Sequence, residues 1–317
     1  MKTRVSRREA LKSLSLAAAV PLLALETSAP SKGPRWKTAI GLNGFMSGAR
    51  KYKKNYPIWE ILDFAARNGF EGVELVGGWP SGDYPVSADK ERVKALRGLY
   101  DRYGLRIFSM QLGAGGASDP DESVRRKWLD EFRDRVQLAK QLGCDHVGLW
   151  PGGGLKGRTM DETIACLAKT FHEAGQIAAD QGIVACFEIE PVFIFNTAEH
   201  YQRILQGANH PNLKGIYDPS HFDQMNERTC KPEELLQRVG VKNIGYVQFC
   251  DADGTCRDGG TSTHLGCGDG RTDCAKGLRI LKEGGFRGWL MVDAWEVPDP
   301  YDACLKCKRA FDQAWQS

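Results

Sequence analysis

Apolar residues follow two periods along this chain. From Trp36 onward, short apolar and β-branched runs alternate with longer stretches in which apolar positions recur every three or four residues. These are the periods of a buried strand and of an amphipathic helix. The short runs predict strands over residues 37–42, 72–76, 106–112, 146–150, 183–190, 214–218, 244–250 and 289–293. The longer stretches predict helices over 58–67, 89–103, 123–141, 160–181, 198–205, 232–239, 274–282 and 301–314. Asn68-Gly69, Gly104, Gly143, Gly182 and Gly284-Gly285 fall just after helical stretches, where a left-handed residue ends a helix at little cost.

Eight strand–helix alternations across residues 36–317 predict an α/β protein, a (β/α)8 barrel in which one packed core serves a single domain. An open doubly wound sheet would place a glycine-rich phosphate loop after its first strand, and Gly41-Leu42-Asn43-Gly44 lacks that spacing. Trp150-Pro151-Gly152-Gly153-Gly154 follows the fourth strand and reads as a flexible strand-to-helix loop.

The first 30 residues stand outside this pattern. Ser6-Arg7-Arg8-Glu9-Ala10-Leu11-Lys12 precedes an apolar run over 14–25 and then small residues at Ser28 and Ala29, which resembles a twin-arginine export signal. Such a signal implies a periplasmic protein carried across the membrane already folded, with any cofactor inside. The apolar run is shorter than the ~20 residues of a spanning helix, so no stable membrane anchor is expected. A net charge of +3, with no basic block after the first few residues, gives no support for a nucleic-acid partner. A homo-oligomer stays open. Of the 10 cysteines, only Cys304 and Cys307 have C-x-x-C spacing, and they are expected to pack the last helix rather than hold zinc. Export would permit disulfides among Cys250, Cys256, Cys267 and Cys274, with no pairing assigned.

Chemistry in such barrels sits at the carboxyl ends of the strands. Those ends carry Asn43, Glu74, Gln111, Trp150, Glu190, Asp218, Gln248 and Asp293. In CFEIEP, Glu188 and Glu190 are two apart and share one face of a strand. Glu190, nearer the mouth, is the expected ligand, with Glu188 behind it or salt-bridged within the barrel. Asp218 ends the next strand and His221 follows in its loop. Converging carboxylates stay ionised together only beside a cation. Oxygen ligands with a little imidazole suit Mn, Mg or Co, with Zn less favoured.

These residues resemble the xylose-isomerase-like barrels, in particular the sugar phosphate isomerase/epimerase group with its ketose 3-epimerases and inosose dehydratases. The resemblance spans residues 36–317 and implies one divalent metal held by Glu190, Asp218, Gln248 and Asp293. Gln248 stands where the family has histidine, and Asp293 where it usually has glutamate. Glu296 is therefore an alternative fourth ligand or substrate contact, and Asp251 an alternative for the missing histidine. His221 matches a substrate-contacting histidine. TSTHLGCGDG, residues 261–270, resembles the loop that closes over the sugar, which makes His264 a substrate contact or acid. Trp79, Trp150 and Trp295 could face a sugar ring or pack the core.

The family chemistry implies a keto sugar as small-molecule substrate, an enediolate intermediate, and Glu190 and Asp293 as base and acid on opposite faces. Epimerisation is the first expectation. A lyase or hydratase acting on 3-keto glycosides is the alternative, and a non-catalytic sugar-binding barrel a third. A nuclease is disfavoured by 6 histidines and no basic face.

Overall fold

A computed structural model describes residues 35–80, 82–225, 231–255 and 262–317. The expected export signal, Cys230 and Cys256 lie outside the described residues. The strands are β1 (Lys37–Gly41), β2 (Gly72–Val76), β3 (Arg106–Gly113), β4 (His146–Trp150), β5 (Val184–Phe187), β6 (Leu213–Tyr217), β7 (Ile244–Phe249), β8 (Asp251–Ala252), β9 (His264–Leu265) and β10 (Trp289–Val292). The helices are α1 (Leu42–Tyr52), α2 (Ile58–Arg67), α3 (Lys90–Asp101), α4 (Glu122–Leu142), α5 (Met160–Asp180), α6 (Ala198–Ala208), α7 (Pro219–Gln224), α8 (Pro232–Val239), α9 (Cys274–Glu283) and α10 (Pro300–Gln316). Strands β1 to β7 and β10 pair in parallel and close into a barrel, with β10 returning to β1. No helix among the described residues is long and apolar enough to cross a membrane.

Helix starts are set by short polar caps. Asp121 accepts from the Ser123 amide, Thr159 forms a capping box with Glu162, and Asp273 accepts from the Lys276 amide, each satisfying amides that a first helical turn leaves free. The apolar helix faces and the outer strand faces make one shell of core. Inside the barrel, Ala39, Phe108, Cys186, Ile216, Tyr246, Trp289 and Met291 form a separate plug. The rings of Phe108 and Trp289 stack there at 4.7 Å.

The plug makes the site. Two residues further along the same strand faces come Glu188 after Cys186, Asp218 after Ile216, Gln248 after Tyr246 and Asp293 after Met291. The side-chain period of two thus turns an apolar floor into a buried polar layer at the carboxyl ends.

Several elements differ from the sequence-based expectation, among them α7, which carries His221 on a short helix rather than in a loop. Helix α1 was not predicted, because LNGFMSGARKY is poor in helix formers. Burial of Leu42, Phe45 and Met46 overrides that propensity, and Gly44 lies so close to the Ala294 carbonyl that a Cβ would stand 2.4 Å from it. Strand β5 ends at Phe187 rather than at residue 190, four positions before Pro191, which has no amide to continue a ladder. His264 sits on a strand rather than a free loop. Strand β9 pairs antiparallel with β8, and His264 also exchanges backbone hydrogen bonds with Trp295.

Candidate active site

The mouth of the barrel holds a cavity of about 290 Å³. Its lining includes Glu188, Glu190, His221, Gln248, His264 and Asp293. No lysine or arginine is among the described residues that line it.

Asp218 arrives at the end of β6 and caps α7, with Pro219 at the first helical position. Its Oδ1 accepts from the amides of Ser220 at 2.7 Å and His221 at 3.3 Å. That leaves Oδ2 without a hydrogen-bond partner. The short turn also brings His221 back over the site, its Nε2 3.5 Å from Glu188 Oε1 and 3.9 Å from Asp218 Oδ2. Glu188 is oriented from the neighbouring strand by Trp150, whose Nε1 donates to Oε2 at 2.8 Å. Opposite, Asp293 accepts from Asn43 Nδ2 on one oxygen and contacts His264 Nδ1 at 2.9 Å on the other. His264 Nδ1 is also 3.8 Å from Asp218 Oδ2.

All five of these groups are buried: Glu188, Asp218, His221, His264 and Asp293 are each 3% exposed or less. Burial pushes the Glu188 carboxyl well above its ordinary value, with Asp218, Glu190 and Asp293 adding to the effect. Burial likewise raises Glu190 to about 7. It raises Asp218 to about 7 as well, against the pull of His264. Burial alone would discharge His264, but Asp218 and Asp293 outweigh it and raise the imidazole to about 9. His221, buried beside that cation, falls to about 3. Asp293 is lowered despite burial, because His264 lies against it.

One histidinium does not balance this many carboxylates. Ligand atoms of Asp218, His221 and His264 lie within 4.8 Å of one another, as do those of Glu188, Glu190 and His221. Glu188 Oε1, Asp218 Oδ2, His221 Nδ1 and His264 Nε2 are buried without hydrogen-bond partners. Buried polar atoms without partners are costly, and oxygen and imidazole donors at such spacing fit a divalent cation.

The remaining candidates divide between the cavity wall and contacts away from it. The Gln248 amide donates to Glu74 Oε2 at 2.7 Å, which leaves its Oε1 facing the cavity without a hydrogen-bond partner. The Asp251 carboxylate accepts from the amides of Gly268, Gly270 and Thr272 and so shapes the turn after β9. Glu296 pairs with Lys51 at 2.7 Å. Trp150 and Trp295 line the cavity, whereas Trp79 packs against the outer core. From the sequence, Glu74 and Asn43 are polar strand ends with no role attached. Their signal was the shared position at the carboxyl end of a strand. Glu74 is buried and raised to about 7 by that burial.

A family model described as xylose isomerase-like TIM barrel matches residues 62–310. An inosose dehydratase from Erwinia tasmaniensis is 24% identical over 291 residues, covering 80% of this chain and 89% of the relative. Among solved structures, D-psicose 3-epimerase with D-tagatose from Clostridium cellulolyticum H10 has a TM-score of 0.67 at 15% identity, covering 88% of this chain and 98% of that one. IOLI protein with a binding zinc atom has a TM-score of 0.64 at 19% identity, covering 88% and 95%.

Proposed function

The chain belongs to the xylose isomerase-like TIM barrel family, and on that premise we propose that it is a divalent-metal-dependent enzyme that removes the proton beside the carbonyl of a keto sugar or keto polyol. Glu188, Asp218, His221 and His264 would hold the metal. Asp293 on Nδ1 of His264 leaves Nε2 free toward the site, the arrangement by which a carboxylate orients a ligating histidine. His264 then supplies the imidazole that position 248 lacks. When bound, a divalent cation acts as a Lewis acid that polarises a carbonyl oxygen and acidifies the neighbouring C–H.

Glu190 is the proton carrier in this reading. It lines the cavity, and burial holds it near neutrality, where a carboxyl can both take and return a proton. A cavity without cationic lining favours an uncharged sugar over a sugar phosphate, and its volume is near the lower limit of small-molecule sites. A single sugar or cyclitol ring suits it. Delivered by the twin-arginine signal, the enzyme would meet such substrates in the periplasm.

The reaction we favour is dehydration. One observation carries it: both Asp293 oxygens are already engaged, by Asn43 and His264. That leaves Glu190 to remove the proton and hand it to the departing β-hydroxyl on the same face. Epimerisation needs a second proton carrier on the opposite face, and Glu74, with Oε1 unpartnered on the cavity wall, supports that second reading. The test incubates metal-loaded protein with inososes and ketohexoses in D2O and follows products by NMR and mass spectrometry. Loss of water, abolished in Glu190→Gln, supports dehydration. An epimer carrying solvent deuterium with no dehydrated product establishes epimerisation instead. Absence of turnover with metal bound leaves a sugar-binding barrel.

A further inference from the structure

Outside the barrel mouth, three thiols meet behind the turn that follows β9. Cys267 Sγ lies 3.4 Å from Cys307 Sγ on α10, and the Cys274 thiol at the start of α9 is near enough to raise the pKa of Cys267. All three are free thiols here. Cys267 and Cys274 are half-buried and line an open groove between α9 and α10, whereas Cys307 is fully buried. The same turn is already seated on α10: Lys306 bonds Asp269 at 2.7 Å, and a Cβ at Gly266 would stand 3.0 Å from the Ala303 Cα. Joining the two sulfurs therefore needs little backbone movement.

We propose that Cys267 and Cys307 are the site of a disulfide that locks the turn following the His264 strand onto the C-terminal helix, with Cys274 as the alternative partner of Cys267. Solvent access sets the order of events. The partly exposed Cys267, as thiolate, attacks a sulfur of an incoming disulfide oxidant, such as glutathione disulfide or an oxidoreductase, and one oxidant thiol leaves. Cys307 then displaces the second oxidant thiol from the mixed disulfide. Two protein S–H bonds are lost and one S–S bond forms, while the oxidant disulfide is reduced to two thiols that carry the protons. The contacts with Cys274 and Cys307 raise the Cys267 thiol well above its ordinary value, so oxidation is slow without such a partner. A link across the chain between positions 267 and 307 restricts the unfolded state and stabilises the fold. The proposal is independent of the enzymatic reading, since it concerns linkage and stability rather than turnover.

The full chain, purified with reductant and then equilibrated with glutathione disulfide, is alkylated under denaturing conditions, digested and mapped by mass spectrometry, with thermal midpoints recorded for both forms. The expected result is a Cys267–Cys307 linked peptide and a midpoint several degrees above that of the reduced protein. Cys307→Ser should move the link to Cys267–Cys274, and the near-isosteric Cys267→Ser, at a partly exposed position, should abolish both the link and the stabilisation. Complete alkylation of Cys267, a persistent glutathione adduct on it, or its linkage to any other cysteine would overturn the proposal. So would an unchanged midpoint in the linked form.

Discussion

Asp218→Asn should stabilise the metal-free protein while removing its response to metal. In the folded chain the Asp218 carboxyl is raised from 3.8 to about 7, by burial first and by Asp293 next. Below pH 3.8 it is protonated in both folded and unfolded chains and contributes no pH dependence. As pH rises through that value the unfolded chain releases its proton, whereas the folded chain holds on until about 7. Stability therefore falls across this window and levels off above it. At about 1.4 kcal/mol per pH unit, the ceiling on this cost is about 4 kcal/mol. The cluster shares its protons, so a net gain of about 1–3 kcal/mol is expected for the amide. Asparagine keeps an oxygen for the Ser220 and His221 amides, so the cap at α7 survives the change. For a chain of this size that gain corresponds to a midpoint rise of roughly 2–5 °C. Thermal unfolding in chelator at pH 7.5 and pH 4 measures it: the variant should unfold higher at pH 7.5, the difference should shrink at pH 4, and added Mn should raise the wild-type midpoint alone. A metal-free variant less stable than wild type at pH 7.5 would refute the electrostatic reasoning, because the Asp218 charge would then be compensated within the protein.

Two further outcomes follow from the same geometry. His264→Ala should weaken Mn or Co binding at least 100-fold, and Gln248→Leu less than tenfold, since the first removes an imidazole whose Nδ1 is held by Asp293 and whose Nε2 is left without a partner, and the second an amide bonded to Glu74. Isothermal titration separates them, and a larger loss at position 248 would place the missing imidazole's role on Gln248 after all. Gly148→Ala should cost about 1–3 kcal/mol in urea unfolding, because the added Cβ would stand 2.1 Å from Gln111 Oε1 and 2.4 Å from the Tyr246 hydroxyl. An unchanged midpoint would mean that the polar layer under the cavity is loosely packed.

The eightfold strand–helix alternation was legible because each period is a local property: side chains alternate along a strand and return every three to four residues on a helix, whatever else surrounds them. For the same reason, the polar residues two positions beyond the apolar plug, Glu188, Asp218, Gln248 and Asp293, could be read from the chain as inward-facing. What each does there could not. Whether Gln248 offers its oxygen or spends its amide depends on Glu74, 174 residues away in the chain. Whether Asp251 faces the site depends on three amides of a turn that folds back onto it, and Glu296 is claimed by Lys51 from the other end of the barrel sequence. His264 reads from the sequence as a substrate contact or acid in a closing loop, and only the pairing of its backbone with β8 and Trp295 buries it against Asp293. Sequence alone determined the barrel and the ring of polar strand ends, since both follow from periodicity. Only the tertiary structure decided which of those groups are left without partners, because a hydrogen-bond or charge partner is a matter of proximity across the closed barrel, which no local pattern encodes.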